Sequence, residues 1–437
     1  MWKKSSASLI GLVLLLAASS TAFASGFALI EQSVSGLGNA FAGGAASAED
    51  PTTVFFNPAG MTRLEGQQVN SGLHLIIPSA KLSPSSAENS NGNPITGSDG
   101  GDGGESGVAP NLYYTNKLND ILTVGLGINA PFGLATKYDR DWIGRYHAVE
   151  SEVMTININP SFAIKATDKL SLGAGLNIQY IDATLSAMVD VGNNLTGNSS
   201  PATDVFVENK ADDWSMGYNL GLLYEFTEAT RVGFAYRSKI RHSLEGHTTT
   251  EVPTALAGVA FLFPDKQGVN GKIALPASAS LSLFHQLNDQ WAIMTDINWT
   301  EWSSFEELTL NFEGAGIGGN PSTTTLENWE DTWRYSVGTS YAYNESLVLR
   351  GGLAYDETPI KDNYRTPRIP GEDRYWITLG AGITLSQSFV VDIAYAHLFV
   401  DDSKINLVSD DNDSAGYLTG EYENQVDIAS VALTYRF

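Results

Sequence analysis

Acid–base and nucleophilic chemistry has few footholds in this sequence. Cysteine is absent, which excludes a thiolate metal site, a cysteine nucleophile, a disulfide framework and a lipid anchor on cysteine. The six histidines, at 74, 147, 242, 247, 285 and 397, sit in no hydrolase motif that would gather a nucleophile, a base and an orienting residue. No catalytic residue, metal ligand or cofactor is assigned. Glu88, Asp99, Asp102 and Glu105 share a Gly-rich stretch, and Asp410, Asp411 and Asp413 crowd another, but neither has the spacing of a calcium loop. They read as solvated charge runs or, alternatively, as sites for divalent cations bridging to lipopolysaccharide. The pattern that does suggest chemistry is apolar. Residues 136–151 place Tyr138, Trp142, Ile143 and Tyr146 beside Lys137, Arg140, Arg145 and His147, and residues 250–269 carry Phe261 and Phe263 among Val252, Leu256, Val259 and Leu262. Aromatic loops with a few polar anchors suit the capture of a greasy ligand; otherwise they would be a solubility liability.

The elements that position these loops follow from composition and period. The chain has 437 residues with 43 Gly, 18 Phe and 18 Tyr, 17% charged residues and a formal charge of -24. A 43% hydrophobic fraction is too high for a disordered chain, and the acidic balance opposes nucleic-acid binding. Lys3 and Lys4, an apolar run over 9–18 and Ala22-Phe23-Ala24 read as a secretory signal peptide, residues 1–24, with the mature chain starting at Ser25. Beyond Ala24 no apolar run is long enough for a membrane helix.

Alternation takes over instead. Leu170, Leu172, Ala174, Leu176, Ile178 and Tyr180 oppose Ser171, Gly173, Gly175, Asn177 and Gln179, and the same period of two recurs from Tyr375 to Leu385 and from Met154 to Ile164. Strands are expected near 68–81, 108–118, 121–135, 152–166, 169–190, 213–227, 230–249, 270–288, 290–312, 329–344, 346–357, 374–386, 388–408 and 422–437. The fourteen are joined alternately by tight turns, such as 119–120, 167–168 and 386–387, and by long loops. That alternation predicts an all-β, closed antiparallel barrel of the Gram-negative outer membrane, with lipid and lipopolysaccharide around it. The final strand ends Val431, Leu433, Tyr435, Phe437, an outward aromatic terminus like the signal read by the barrel-assembly machinery. A single closed chain is expected to act as a monomer over residues 67–437.

Residues 25–66 lack period two and are rich in Gly, Ala and Ser, which predicts a hatch of short helices and turns inside the lumen. Gly36-x-Gly38 is no dinucleotide fingerprint, since no strand precedes it.

At this point the residues resemble the FadL family of long-chain fatty acid transporters. The resemblance rests on Gly26-Phe27-Ala28-Leu29, on 35–43, on Phe56-Asn57-Pro58-Ala59-Gly60-Met61, on Pro131-Phe132-Gly133-Leu134-Ala135-Thr136, on 142–148 and on Asp373-Arg374-Tyr375-Trp376. It spans the mature chain. It implies a passive channel that takes up long-chain fatty acids or similar hydrophobic molecules, with no enzymatic step. Asn57, Pro58 and Ala59 form the hatch motif, Phe27 meets the inner ligand pocket, and the ligand leaves sideways at an inward kink of the third strand. Pro131, without an N–H, Phe132 and Gly133 supply that kink here. Tyr138, Trp142, Ile143, Arg145, Tyr146, Phe261, Phe263 and Arg374 are the further ligand-binding candidates. Family members place a lysine late in the barrel for the carboxylate, where this sequence has Glu330. A neutral hydrocarbon is therefore the alternative ligand; a general porin, structural barrel or outer-membrane hydrolase is the alternative of another class.

Overall fold

A computed structural model describes residues 26–407 and 415–437. The expected signal peptide and Ser25, and the acidic Asp410, Asp411 and Asp413, lie outside the described residues. Fourteen strands run up and down: β1 (Gln67–Glu88), β2 (Gly107–Lys117), β3 in two pieces (Leu122–Asn129 and Gly133–Lys137), β4 (Glu150–Lys165), β5 (Leu170–Asp190), β6 (Asp204–Thr227), β7 (Thr230–Arg237 and Ile240–Glu251), β8 (Lys266–Leu275 and Ser278–Gln286), β9 (Trp291–Thr300 and Glu307–Phe312), β10 (Ser322–Leu326 and Thr332–Asn344), β11 (Leu347–Asp356), β12 (Arg374–Thr384), β13 (Phe389–Val400 and Ser403–Leu407) and β14 (Tyr417–Arg436). Each pairs antiparallel with the next, and β14 returns to β1 from Gln68 opposite Arg436 to Glu88 opposite Tyr417, so the sheet closes. Closure removes the sheet edge that lipid could not hydrogen-bond.

Alternation sets the faces. Leu353, Ile377, Leu379 and Val431 point outward and are exposed, whereas their neighbours Ala354, Trp376, Thr378 and Ala432 are buried. Aromatic girdles bound this apolar band. Trp291, Tyr343, Phe389 and Phe437 mark the end with the short turns, and Trp333, Tyr335, Tyr375 and Phe399 mark the end with the long loops. Several strands extend farther into the loops than alternation foretells. β6 begins at Asp204 rather than 213, because 204–212 pairs with 182–190 in a ladder of mixed polar and apolar pairs, Asp182 opposite Asp212 and Val189 opposite Val205. Beyond the membrane both faces meet water or loops, and the hydrophobic period that reveals a strand disappears.

The hatch enters the lumen before β1. Helix α1 (Val34–Gly38) starts where Ser33 Oγ accepts from Gly36 N at 3.0 Å; α2 (Thr53–Phe56) and a 3-10 turn (Pro58–Arg63) follow. Asn57 anchors the family motif: its Oδ1 accepts from Ala59 N at 3.0 Å, and its Nδ2 donates to Ala45 O and Leu222 O at 2.6 and 3.0 Å. Inward glycines of the wall leave room for this docking. A Cβ at Gly173 would collide with the Ala59 backbone, at Gly221 with Asn57, and at Gly233 with the Ala45 backbone. Inward arginines then bind the hatch. Arg231 donates to Ala46 O and Ser47 O, both at 2.6 Å, Arg237 to Phe55 O at 2.9 Å and Arg334 to Ala40 O at 3.0 Å, while Arg350 pairs with Glu49 at 3.4 Å.

Candidate ligand cavity and wall opening

The two pieces of β3 both pair with β4, but in shifted register. Asn129 lies opposite Asn157, and Gly133 opposite Met154, so three residues of β3 face two of β4. The extra residue throws Ala130, Pro131 and Phe132 inward as a bulge. On the other side the β2–β3 ladder stops at Leu112 opposite Ile128, leaving the β3-facing edge of 107–111 without its ladder partner. The displaced backbone pairs with the hatch instead. Leu29 N donates to Pro131 O at 2.8 Å, Gly133 N to Phe27 O at 3.0 Å, and Gln32 Nε2 to Ala130 O at 2.6 Å. The first hatch residues thus pair with the displaced backbone at 130–133 in place of a neighbouring strand.

Above this contact sits an aromatic cage. Phe27 is almost fully buried, and its ring centroid lies 4.9 Å from that of Trp302, 5.7 Å from Phe305, 5.9 Å from Trp329 and 6.0 Å from Phe132. Phe132 and Trp302 also line a cavity with about 1110 Å³ of atom-free space, partly open to solvent, along with Leu29, Ile30, Phe41, Phe55 and Phe56 of the hatch. Its lining is mainly apolar, with Arg237, Asp296, Arg334 and Asp356 as charged groups. Among the described residues no carboxylate lies within ion-pair distance of Arg237, which donates to Asn177 Oδ1 at 2.5 Å and to Phe55 O. The Trp302 indole N–H has no hydrogen-bond partner among the described residues. Below the cage, burial pushes the Glu31 carboxyl up to about 7, with Arg334 and Arg374 opposing the rise.

The remaining candidates are not gathered around this cavity. Tyr138 stacks on Trp142 at 4.3 Å and shares a hydroxyl contact of 3.1 Å with Tyr422, inside the outer cap of loops. Ile143 packs against the same apolar cluster. Arg145 is fully buried. Its Nε donates to Asp204 Oδ2 at 2.6 Å and its Nη2 to the Tyr146 hydroxyl at 2.8 Å, and that hydroxyl donates to Asp204 Oδ1 at 2.9 Å. Tyr138, Trp142, Ile143, Arg145 and Tyr146 are thus packed or bonded within the cap. The cap and the cage nevertheless belong to one continuous apolar cluster, running from Tyr138, Trp142 and Tyr422 to Phe132 and Phe27. Phe263 is buried in a separate loop cluster with Leu256 and Ile317, whereas Phe261 beside it is 80% exposed. Arg374 is buried on β12 close to Asp356 and Glu31, outside the cavity lining. Glu330 pairs with Lys361 at 2.7 Å in an exposed loop contact. Sequence analysis did not single out Arg237 or Arg334; inward phase on a strand facing the hatch was the available signal.

A closed fourteen-stranded barrel with an apolar outer band, a lumenal hatch and a greasy cavity beside a break in its wall defines an outer-membrane transport protein. The chain matches the family described as Outer membrane protein transport protein (OMPP1/FadL/TodX) over residues 15–437, and it belongs to that family. It is 32% identical to a putative outer membrane protein of Neisseria meningitidis, over 96% of each chain. It is 26% identical to the long-chain fatty acid transport protein of Escherichia coli K12, over 89% of this chain and 91% of that one. The crystal structure of a Pseudomonas aeruginosa FadL homologue superposes with a TM-score of 0.88 at 29% identity, covering 94% of this chain and 99% of that one.

Proposed function

We propose that the protein carries long-chain fatty acids, or molecules of like hydrophobicity, passively across the polar outer leaflet and releases them sideways through the β3 bulge. The observation that carries this reading is the pairing of the kink with residues 27–29: the wall is broken where the apolar cavity ends, and the first hatch residues close the break. A long apolar chain partitions poorly into water, so a continuous greasy surface is what it needs. Exposed Phe261 offers a first contact, the cap cluster leads inward, and Phe27 leaving its cage would open the path to the lipid. The route needs no reaction and no cofactor. The single chain works as a monomer in lipid and lipopolysaccharide, inserted by assembly machinery that reads Phe437.

Arg237, half-buried in the cavity lining and without a carboxylate partner among the described residues, favours an anionic headgroup, since only neutral groups now face its charge. Transport of neutral hydrocarbons is the second reading, supported by the mostly apolar lining; toluene transporters such as TbuX of Ralstonia pickettii share the fold at 23% identity, a likeness that speaks to architecture alone. Competition among oleate, an alkane and an alkylbenzene for the purified protein separates the two. For the exit, deleting Pro131 makes the residue counts of β3 and β4 equal between Asn129 and Gly133. That variant should assemble normally yet slow oleate uptake several-fold; undiminished uptake refutes the lateral route.

A further inference from the structure

The wall has a second seam behind the same cavity, far from β3 in the strand order. β7 and β8 are each interrupted for two residues, at Ser238-Lys239 and Pro276-Ala277. The flanking pairs are Arg237 opposite Ser278 and Ile240 opposite Leu275, so the interruptions face one another with no residue in excess on either strand. Pro276 has no N–H to offer a ladder. Ser238 turns its bonds the other way, its N donating to Tyr218 O and its hydroxyl accepting from Tyr218 N, both at 2.9 Å. The β7–β8 ladder is therefore interrupted, and beside it the β6–β7 ladder has no pairs between Asp212 opposite Glu245 and Asn219 opposite Arg237, so that β7 is held there by the two Ser238–Tyr218 bonds. The cavity touches the seam directly: Arg237, Pro276 and Ser278 line it, together with Leu220 and Tyr236, whose side chains alternate onto the outer face.

An ion pair straddles the seam. Lys239 Nζ lies 3.0 Å from Glu301 Oε1, reaching across β8 to the interruption of β9, and Glu301 N donates to Ala277 O at 2.9 Å. Both side chains are partly exposed. The seam lies eight residues above the start of β7, as the β3 kink lies above the start of β3. With about 3.3 Å rise per residue and a tilt of roughly 40°, that is ~20 Å from the short-turn rim, near the top of the apolar band. A charge pair at that depth is costly unless it serves a purpose.

We infer that the β7–β8 seam is a second lateral portal, latched by Lys239 and Glu301, through which a single-chain carboxylate passes between the cavity and the outer leaflet. Arg237 at its inner lip and Lys239 at its outer lip supply two successive cations for the headgroup. The inference rests on the transport reading above.

The chain has no cysteine, so Ser238→Cys/Ala277→Cys staples the seam under oxidation and reopens it with a reductant. In vesicles, oxidation should lower the uptake of radiolabelled oleate by about the share that survives deletion of Pro131. With Pro131 deleted as well, it should abolish the remainder, and the reductant should restore uptake in both cases. Uptake indifferent to the staple in the Pro131-deleted background overturns the portal. If the unmodified protein takes up no oleate, the transport reading itself fails, and a photoreactive stearate dissolved in the vesicle bilayer then decides the portal. Adducts on 236–239 and 276–279 that vanish with the staple support it; adducts confined to 130–133, or none, overturn it.

Discussion

Truncating Phe27 to alanine tests whether the hatch seals the wall. Phe27 lies at the centre of four aromatic rings, and its side chain takes no part in the barrel ladder. Removing a fully buried phenyl group costs about 3–5 kcal/mol. Here that loss falls on the local equilibrium between docked and undocked 27–33, because the backbone bonds Leu29 N to Pro131 O and Gly133 N to Phe27 O rely on the ring to hold them in place. At ~1.4 kcal/mol per factor of ten, opening should become roughly 10²–10⁴-fold more frequent. Hydrogen exchange of the protein in detergent, read by mass spectrometry on peptides covering 27–33 and 130–134, measures this directly. Those peptides should lose protection together, β10 to β14 should not, and the barrel should keep its resistance to denaturation. Phe27→Leu should retain most of the protection. Wild-type exchange rates in the alanine variant, or a loss spread evenly around the barrel, would refute the idea that the cage holds the hatch against the kink.

Three further outcomes follow from the same geometry. Arg145→Ala strands the buried Asp204 carboxylate, at a cost of about 3–5 kcal/mol, so the outer loops should become sensitive to protease while the barrel remains folded. Arg237→Gln should weaken oleate binding about ten-fold or more and leave alkane binding nearly unchanged, as measured by competition. Glu31, whose carboxyl is raised by burial from 4.5 to about 7, is held neutral in the docked hatch. Its contribution to docking is whole below about 4.5 and is lost as pH rises through about 7. Protection of 27–33, corrected for intrinsic exchange, should therefore fall between pH 5 and pH 8, and Glu31→Gln should abolish that dependence.

Much of the architecture was legible because lipid enforces a simple rule. Where one face meets hydrocarbon and the other the lumen, Leu170 to Tyr180 must alternate, and the tight and long joins must alternate too. The hatch motif and the kink were expected from the family resemblance, and local chemistry is compatible with both: Asn57-Pro58-Ala59 caps a turn, and Pro131 cannot serve a ladder. The seam at Ser238-Lys239 was not, because a two-residue break reverses the inward phase, from Arg237 to Ile240, without disturbing composition. β9 hid its break similarly: 290–312 reads as one strand, whereas Trp302–Ser304 forms a turn that carries Trp302 into the cage. The loop at 136–151 shows the opposite limit. Its aromatics and arginines have the composition of a ligand groove, but Arg145, Tyr146 and Asp204 satisfy one another, a pairing across 59 residues that composition cannot reveal.

The arginine bonds give the hatch an uneven stiffness. From Ala40 to Phe55 its backbone is fastened to the wall by Arg231, Arg237 and Arg334, and Glu49 by Arg350; from Gly26 to Gln32 its polar ties run to the β3 bulge alone among the described hatch-to-wall bonds. Such an insert does not behave as a cork. A force applied at its first residues would peel a short flap and spend itself before reaching the riveted part. On the lateral route proposed above, the wall would part without the lumen standing open to water.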